Sequence, residues 1–132
     1  MKHVITLSLL AVFVIAASFT FMPNKPWPVP DKDAKKANPV KTDAASVSAG
    51  KTLWSTHCSS CHGKTGLGDG SKAAQLKTQP EDMSKAVVQS LSDGALFYKL
   101  SEGRDDMPSF KKKLPEEEDR WNLVNYMRTL KK

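Results

Sequence analysis

Two cysteines are all that this 132-residue chain contains, and they sit three apart in HCSSCH, residues 57–62. A disulfide between them would close too small a ring to stabilise much. A tetrahedral zinc site normally draws two ligand pairs from separate elements, and here every soft ligand lies within six consecutive residues. The third histidine, His3, stands in an apolar N-terminal run. From Asp43 onward no stretch alternates with period two, so the βαβ setting of a thioredoxin-like dithiol is missing. Charge is also scarce where it would matter. The formal net charge is +6, but residues 43–132 hold 11 Lys and 3 Arg against 7 Asp and 5 Glu, or 14 − 12 = +2. Half of the excess, +3, belongs to residues 23–42, where a solvated tether is the simpler reading and contact with anionic lipid headgroups the sharper one. No nucleic-acid partner is expected.

Three segments follow from composition. Residues 4–22 are uncharged and mostly apolar behind Lys2. As a helix they would span about 28 Å, close to the ~30 Å hydrocarbon core. They also read as a signal peptide, with Ala16 and Ser18 at the small-residue positions of a cleavage site. Residues 1–22 are therefore a signal peptide or membrane anchor, and the remainder is expected to be exported. Residues 23–42 carry five prolines and alternating charge without a helical or strand period, and read as a linker. Trp27, alone among these prolines, reads as a linker or interfacial residue. Residues 43–132 form the globular domain. A unit of that size buries only about two-thirds of its surface, so a bound prosthetic group would help it.

The domain is expected to be all-α. In SVSAGKTLWSTHC, Ser46 is placed to cap a helix whose Val47, Gly50, Leu53, Trp54 and His57 share one side, and the helix delivers the cysteines at its end. Gly50 is costly in a helix, by about 1 kcal/mol against Ala, which implies a close backbone approach there. In LSDGALFYKLSEG, Ser92 is placed to cap, Leu91 and Leu96 to form a staple, and Gly103 to terminate. The last helix opens behind Pro115 with four acids and closes with Arg128, Lys131 and Lys132, in the order that suits its dipole. Leu123, Tyr126, Met127 and Leu130 make its apolar stripe, widened by Trp121 and Val124. The first and last helices are expected to cross at Gly50, under Trp54, Leu123 and Tyr126.

The remaining chemistry for Cys58 and Cys61 is covalent haem. CxxCH is the attachment signature: both thiols add across porphyrin vinyl groups, and His62 turns its imidazole onto the iron. His57 adjoins a tethered cysteine, cannot readily reach the opposite face, and reads as a surface residue. A sixth ligand then falls to methionine. Met1 and Met22 lie in or beside the targeting segment, and Met127 lies on a packed helix face. Met107 is preferred, because Pro108 disfavours helix at the preceding residue and lets the thioether project from a loop. Met83, in PEDMSK, remains the alternative.

The words AGKTLWSTHCSSCHG, GLGDG, SDGALFYKLSEG, MPSF and RWNLVNYMRTL occur in order from about Ala45 to the end. With them the domain resembles a class I mono-haem c-type cytochrome of bacterial type. The resemblance implies a cytochrome c fold of three to five helices around one covalent haem c, with His62 and Met107 as axial ligands. It also implies one-electron transfer without catalysis, as a monomer serving redox protein partners: a terminal oxidase, a quinol-oxidising complex or a dehydrogenase. The expected site is periplasmic or at the outer face of the cytoplasmic membrane, soluble if residues 1–22 are cleaved and membrane-associated if not. An accessory subunit of a larger oxidoreductase, or a gas- or peroxide-reactive haem from which Met107 dissociates, are the competing functions. Two departures from the family stand out: Pro115 replaces a Ser or Thr cap, and Met83 replaces an aromatic. Pro80 stands where relatives often place a proline beside the proximal histidine.

Overall fold

Asp43, in extended backbone, starts the first long helix: its carboxylate accepts from the Ser46 amide at 2.9 Å. The expected cap, Ser46, lies one turn inside instead. Asp43 is the better acceptor, and the Ser46 hydroxyl is drawn inward to donate to Asn122 Oδ1 at 2.6 Å. The computed structural model describes residues 26–132. Expectations for residues 1–22, and for Met1, His3 and Met22 within them, lie outside the described residues.

In chain order the helices are α1 (Asp31–Ala34), α2 (Ala44–His57), α3 (Ser59–His62), α4 (Ala86–Gln89), α5 (Asp93–Glu102) and α6 (Glu117–Thr129), with a 3-10 turn at Ala73–Gln75. The all-α expectation holds: among the described residues there is no strand, only an isolated antiparallel bridge between Arg104 and Met107. The long helices α2, α5 and α6 are the three read from the sequence. Three single turns bring the count to six among the described residues.

The α2–α6 crossing is the most extensive packing in the fold. It depends on Gly50, where an added Cβ would lie 2.0 Å from the Asn122 carbonyl oxygen and 2.8 Å from the Tyr126 Cβ. Trp54 and Tyr126 pack with ring centroids 5.7 Å apart beside the crossing. Behind it Trp121 and Val124 are fully enclosed, and Trp121 stacks on Phe97 of α5 at 3.9 Å. Burying a Trp removes about 200 Å² from water, which at ~25 cal/mol/Å² stabilises by a few kcal/mol as an upper estimate. α5 begins at Ser92, whose hydroxyl accepts from the Ala95 amide, and ends at Gly103 with φ of 70°. α6 has three acids in its first turn but begins at Glu117, two residues beyond Pro115, without a side-chain cap. At its other end Arg128 donates to Asp93 Oδ1 (2.8 Å), the Gln89 carbonyl (2.9 Å) and the Leu91 carbonyl (2.5 Å), locking α6 to the α4–α5 junction.

Residues 26–42 differ from the solvated tether expected of them. α1 lays its carbonyls against α5, where a Cβ on Gly94 would meet the Asp33 oxygen at 2.2 Å, and the Ser92 hydroxyl donates to the Ala34 carbonyl at 2.5 Å. Further along, the segment is tied to Asn125, which is completely buried. Its Oδ1 accepts from Asn38 Nδ2 (2.8 Å) and Thr42 Oγ1 (2.9 Å), and its Nδ2 donates to Ser46 Oγ (2.7 Å). These contacts are made by backbone carbonyls and short polar side chains, so they leave no hydrophobic period to read.

Gly50→Ala forces the α2 and α6 backbones apart. We expect a loss of about 1–3 kcal/mol in denaturant unfolding of the holoprotein, as for other overpacked contacts, with a smaller loss for Ala at exposed Ser48.

Candidate haem-attachment site

α2 delivers the motif directly. The Cys58 amide donates to the Trp54 carbonyl at 2.9 Å, ending α2, and α3 turns immediately afterward, with the Cys61 and His62 amides both donating to the Cys58 carbonyl (3.2 and 2.9 Å). Cys58 and Cys61 therefore stand one helical turn apart. Gly63, at φ of 83°, stops α3, and its carbonyl accepts from the Trp54 indole at 2.9 Å. Trp54 thus holds both ends of the motif: its backbone oxygen at Cys58, its ring nitrogen at Gly63. The same ring packs 5.6 Å from the His62 imidazole.

The donor set fits a haem. Both thiols are free and partly buried. Burial, followed by the neighbouring Cys61, pushes the Cys58 thiol up to about 12, which is unsuited to a redox nucleophile that must be a thiolate near neutrality. Burial lowers the His62 pKa, favouring the neutral imidazole that a metal requires. His62 Nδ1 is buried without a hydrogen-bond partner, an uncommon state for a polar atom and one that invites a ligand or an outside acceptor. Among the described residues no three His, Cys, Asp or Glu side chains converge, as a zinc site built from protein ligands would need.

The other candidates occupy different settings. His57 is half-buried, edge-on to Phe110 with centroids 6.3 Å apart, so it packs instead of standing free at the surface. Met83 is buried under Gly66, where a glycine Cβ would meet its Cβ at 3.1 Å, and its amide donates to the Gly66 carbonyl at 2.7 Å. Met127 is a core residue of α6, as expected. Pro80 stands with its carbonyl against Gly68, and His62 Nδ1 donates no hydrogen bond to it.

Met107 lies in a tight loop after α5. The Arg104 amide donates to the Met107 carbonyl (2.8 Å) and the Met107 amide donates back to Arg104 (2.9 Å), while Asp105 takes a left-handed φ of 52° between them. Asp106, which sequence reasoning did not single out, accepts from the Lys77 and Thr78 amides at 2.7 and 3.3 Å and ties this loop to the one following α3. The Phe110 amide and Ser109 hydroxyl bond back to the Leu100 and Ser101 carbonyls (3.2 and 2.6 Å). Met107 itself is half-buried against the core cluster.

A crossing pair of end helices, a third helix behind them, and CxxCH at the end of the first define a class I c-type cytochrome. The chain belongs to the family described as cytochrome c oxidase, cbb3-type, subunit III, which matches residues 45–127. Among solved structures it is similar to one titled "KustC0563 c-type cytochrome", at 30% identity and a TM-score of 0.53, over 63% of this chain and 98% of that one. It also shares its fold with a chain of the "Kuenenia stuttgartiensis reducing HAO-like protein complex Kustc0457/Kustc0458", at 24% identity and a TM-score of 0.64. That likeness covers 82% of this chain and 52% of the other, so this chain spans about half the length of that relative. No curated protein matches. Membership of this family indicates covalent haem c as the group the chain carries.

In a host that attaches haem c, Cys58→Ala/Cys61→Ala is expected to leave its haem extractable by acidic organic solvent. The native chain is expected to keep the haem's mass on the polypeptide in denaturing mass spectrometry.

Proposed function

We propose that the protein is a mono-haem electron carrier that shuttles single electrons between redox proteins outside the cytoplasm. Cys58 and Cys61 would hold a haem c through thioethers, and His62 and Met107 are the residues that would ligate its iron. The bound haem supplies the one-electron chemistry. Cys58, at the end of α2, and Cys61, in α3, would tether it, and the neutral His62 imidazole would offer its lone pair to the iron. Met107 would supply a thioether ligand, which raises the potential relative to two nitrogen ligands and, with His62, would leave no position on the iron for a substrate.

The observation that carries this reading is the contrast between the two methionines. Met83 is spent on packing beneath Gly66, whereas Met107 lies half-buried in a loop held by backbone bonds from Arg104 and by Asp106. Lys64, Lys111, Lys112 and Lys113 are exposed, although Lys111 pairs with Glu102. A domain charge of only +2 gives weak electrostatic steering toward a partner.

Export is supported by the apolar residues 4–22 behind Lys2. No helix among the described residues is long and apolar enough to cross a membrane. The family's description as an oxidase subunit favours a second reading, an electron-transfer subunit within a larger oxidoreductase.

The ferric protein is expected to show a sulfur-to-iron charge-transfer band that Met107→Leu abolishes and Met83→Leu preserves. Ready carbon monoxide binding by the unaltered ferrous protein would instead assign the iron to ligand chemistry.

A further inference from the structure

Trp27 lies in the segment whose composition reads as linker, yet it is half-buried between two cations. Arg104 Cζ sits 4.6 Å from its ring centroid and Lys99 Nζ 5.3 Å. The same Arg104 donates from Nη1 to the Pro26 carbonyl at 3.0 Å. Burial and the neighbouring Arg104 both lower the pKa of Lys99, as expected where two cations approach one ring. Arg104 is also the residue whose backbone closes the turn on Met107 through two hydrogen bonds. The side chain that grips the N-terminal arm and the main chain that holds Met107 thus belong to one residue. On its other flank the turn is held by Asp106 against Lys77 and Thr78.

We propose that Trp27 is a positioning residue for Met107: the N-terminal arm, docked through Trp27 and Pro26 on Arg104, clamps the Arg104–Met107 turn and keeps the thioether in place. The inference rests on the assignment of Met107 as axial ligand. An aromatic face over a partly desolvated guanidinium holds it more firmly than water does, and the arm's carbonyl restrains the same group from a second direction. Opening the turn to release the thioether then requires Arg104 to move against both restraints. Removing them raises the population of the open turn and so the apparent affinity of any outside ligand that competes with Met107.

The test is an imidazole titration of the ferric, full-length holoprotein, followed by loss of the sulfur-to-iron band. Trp27→Ala is expected to bind imidazole about five- to tenfold more tightly than the native protein, a change that lies within what loss of one partly desolvated cation–π contact produces. Trp27→Phe, which keeps a ring on Arg104, is expected to recover most of the difference. Lys36→Ala breaks a different contact of the arm, the Lys36–Glu117 pair at 3.3 Å, and is expected to behave as native. Unchanged imidazole affinity in Trp27→Ala, with the band intact in the native protein, overturns the clamp while leaving Met107 as ligand. A rise that Lys36→Ala reproduces also overturns it, because the effect would then belong to general loosening of the arm. Absence of the band from the native protein overturns both the clamp and the ligand assignment.

Discussion

The contact between Gly50 and the Asn122 carbonyl is the constraint on which the rest of the molecule hangs. With no room at Gly50 for even one carbon between the α2 and α6 backbones, the two helices cross in direct backbone contact there. Trp54 and Tyr126 then have to pack beside that point, and Asn122 and Asn125 must face inward. Had Gly50 carried a side chain, the polar groups at the crossing would have been held apart. Asn125 would then lose its chance to satisfy both ends of its amide in a dry interior.

Asn125 shows how the fold reaches beyond its apolar stripe. It brings together α6, the start of α2 and the segment before it, with acceptors and donors matched on both sides. Lys36 and Arg120 lie over the Phe97 ring on the same side of the molecule, 4.8 and 5.2 Å from its centroid, so that a part of the chain rich in charge and proline covers an aromatic core. The result is an arm joined to the domain along most of its described length, where a freely swinging tether would meet it only at one end.

The three long helices were legible because each carried its own signal: the cysteine motif after a turn-spaced apolar face, Ser92 and Gly103 bracketing α5, acids before and bases after α6. Gly50 was legible because a helix tolerates glycine poorly unless something presses on it. CxxCH was legible because two thiols and an imidazole in that order suit one attachment chemistry. The arm was not, since its packing uses carbonyls against Gly94 and a buried asparagine amide, and neither leaves a period in the sequence. Asp43 and Ser46 are both competent caps, and the stronger Asp43 acceptor together with the proximity of Asn122 to Ser46 decides between them. Asn122 and Asn125 interrupt an apolar stripe and look solvent-directed until the partner segments are known. Trp27 among prolines resembled a linker residue because the cations it meets lie more than seventy positions away.

Trp54 joins two regions that would otherwise be independent. It packs at the helix crossing through its ring, and it holds the cysteine motif through its carbonyl at Cys58 and its indole at Gly63. Gly50 and Cys58 are eight residues apart, about 12 Å of helix. The direction in which both thiols and the imidazole face is therefore inherited, through one rigid lever, from how closely two backbones approach each other at a distant glycine.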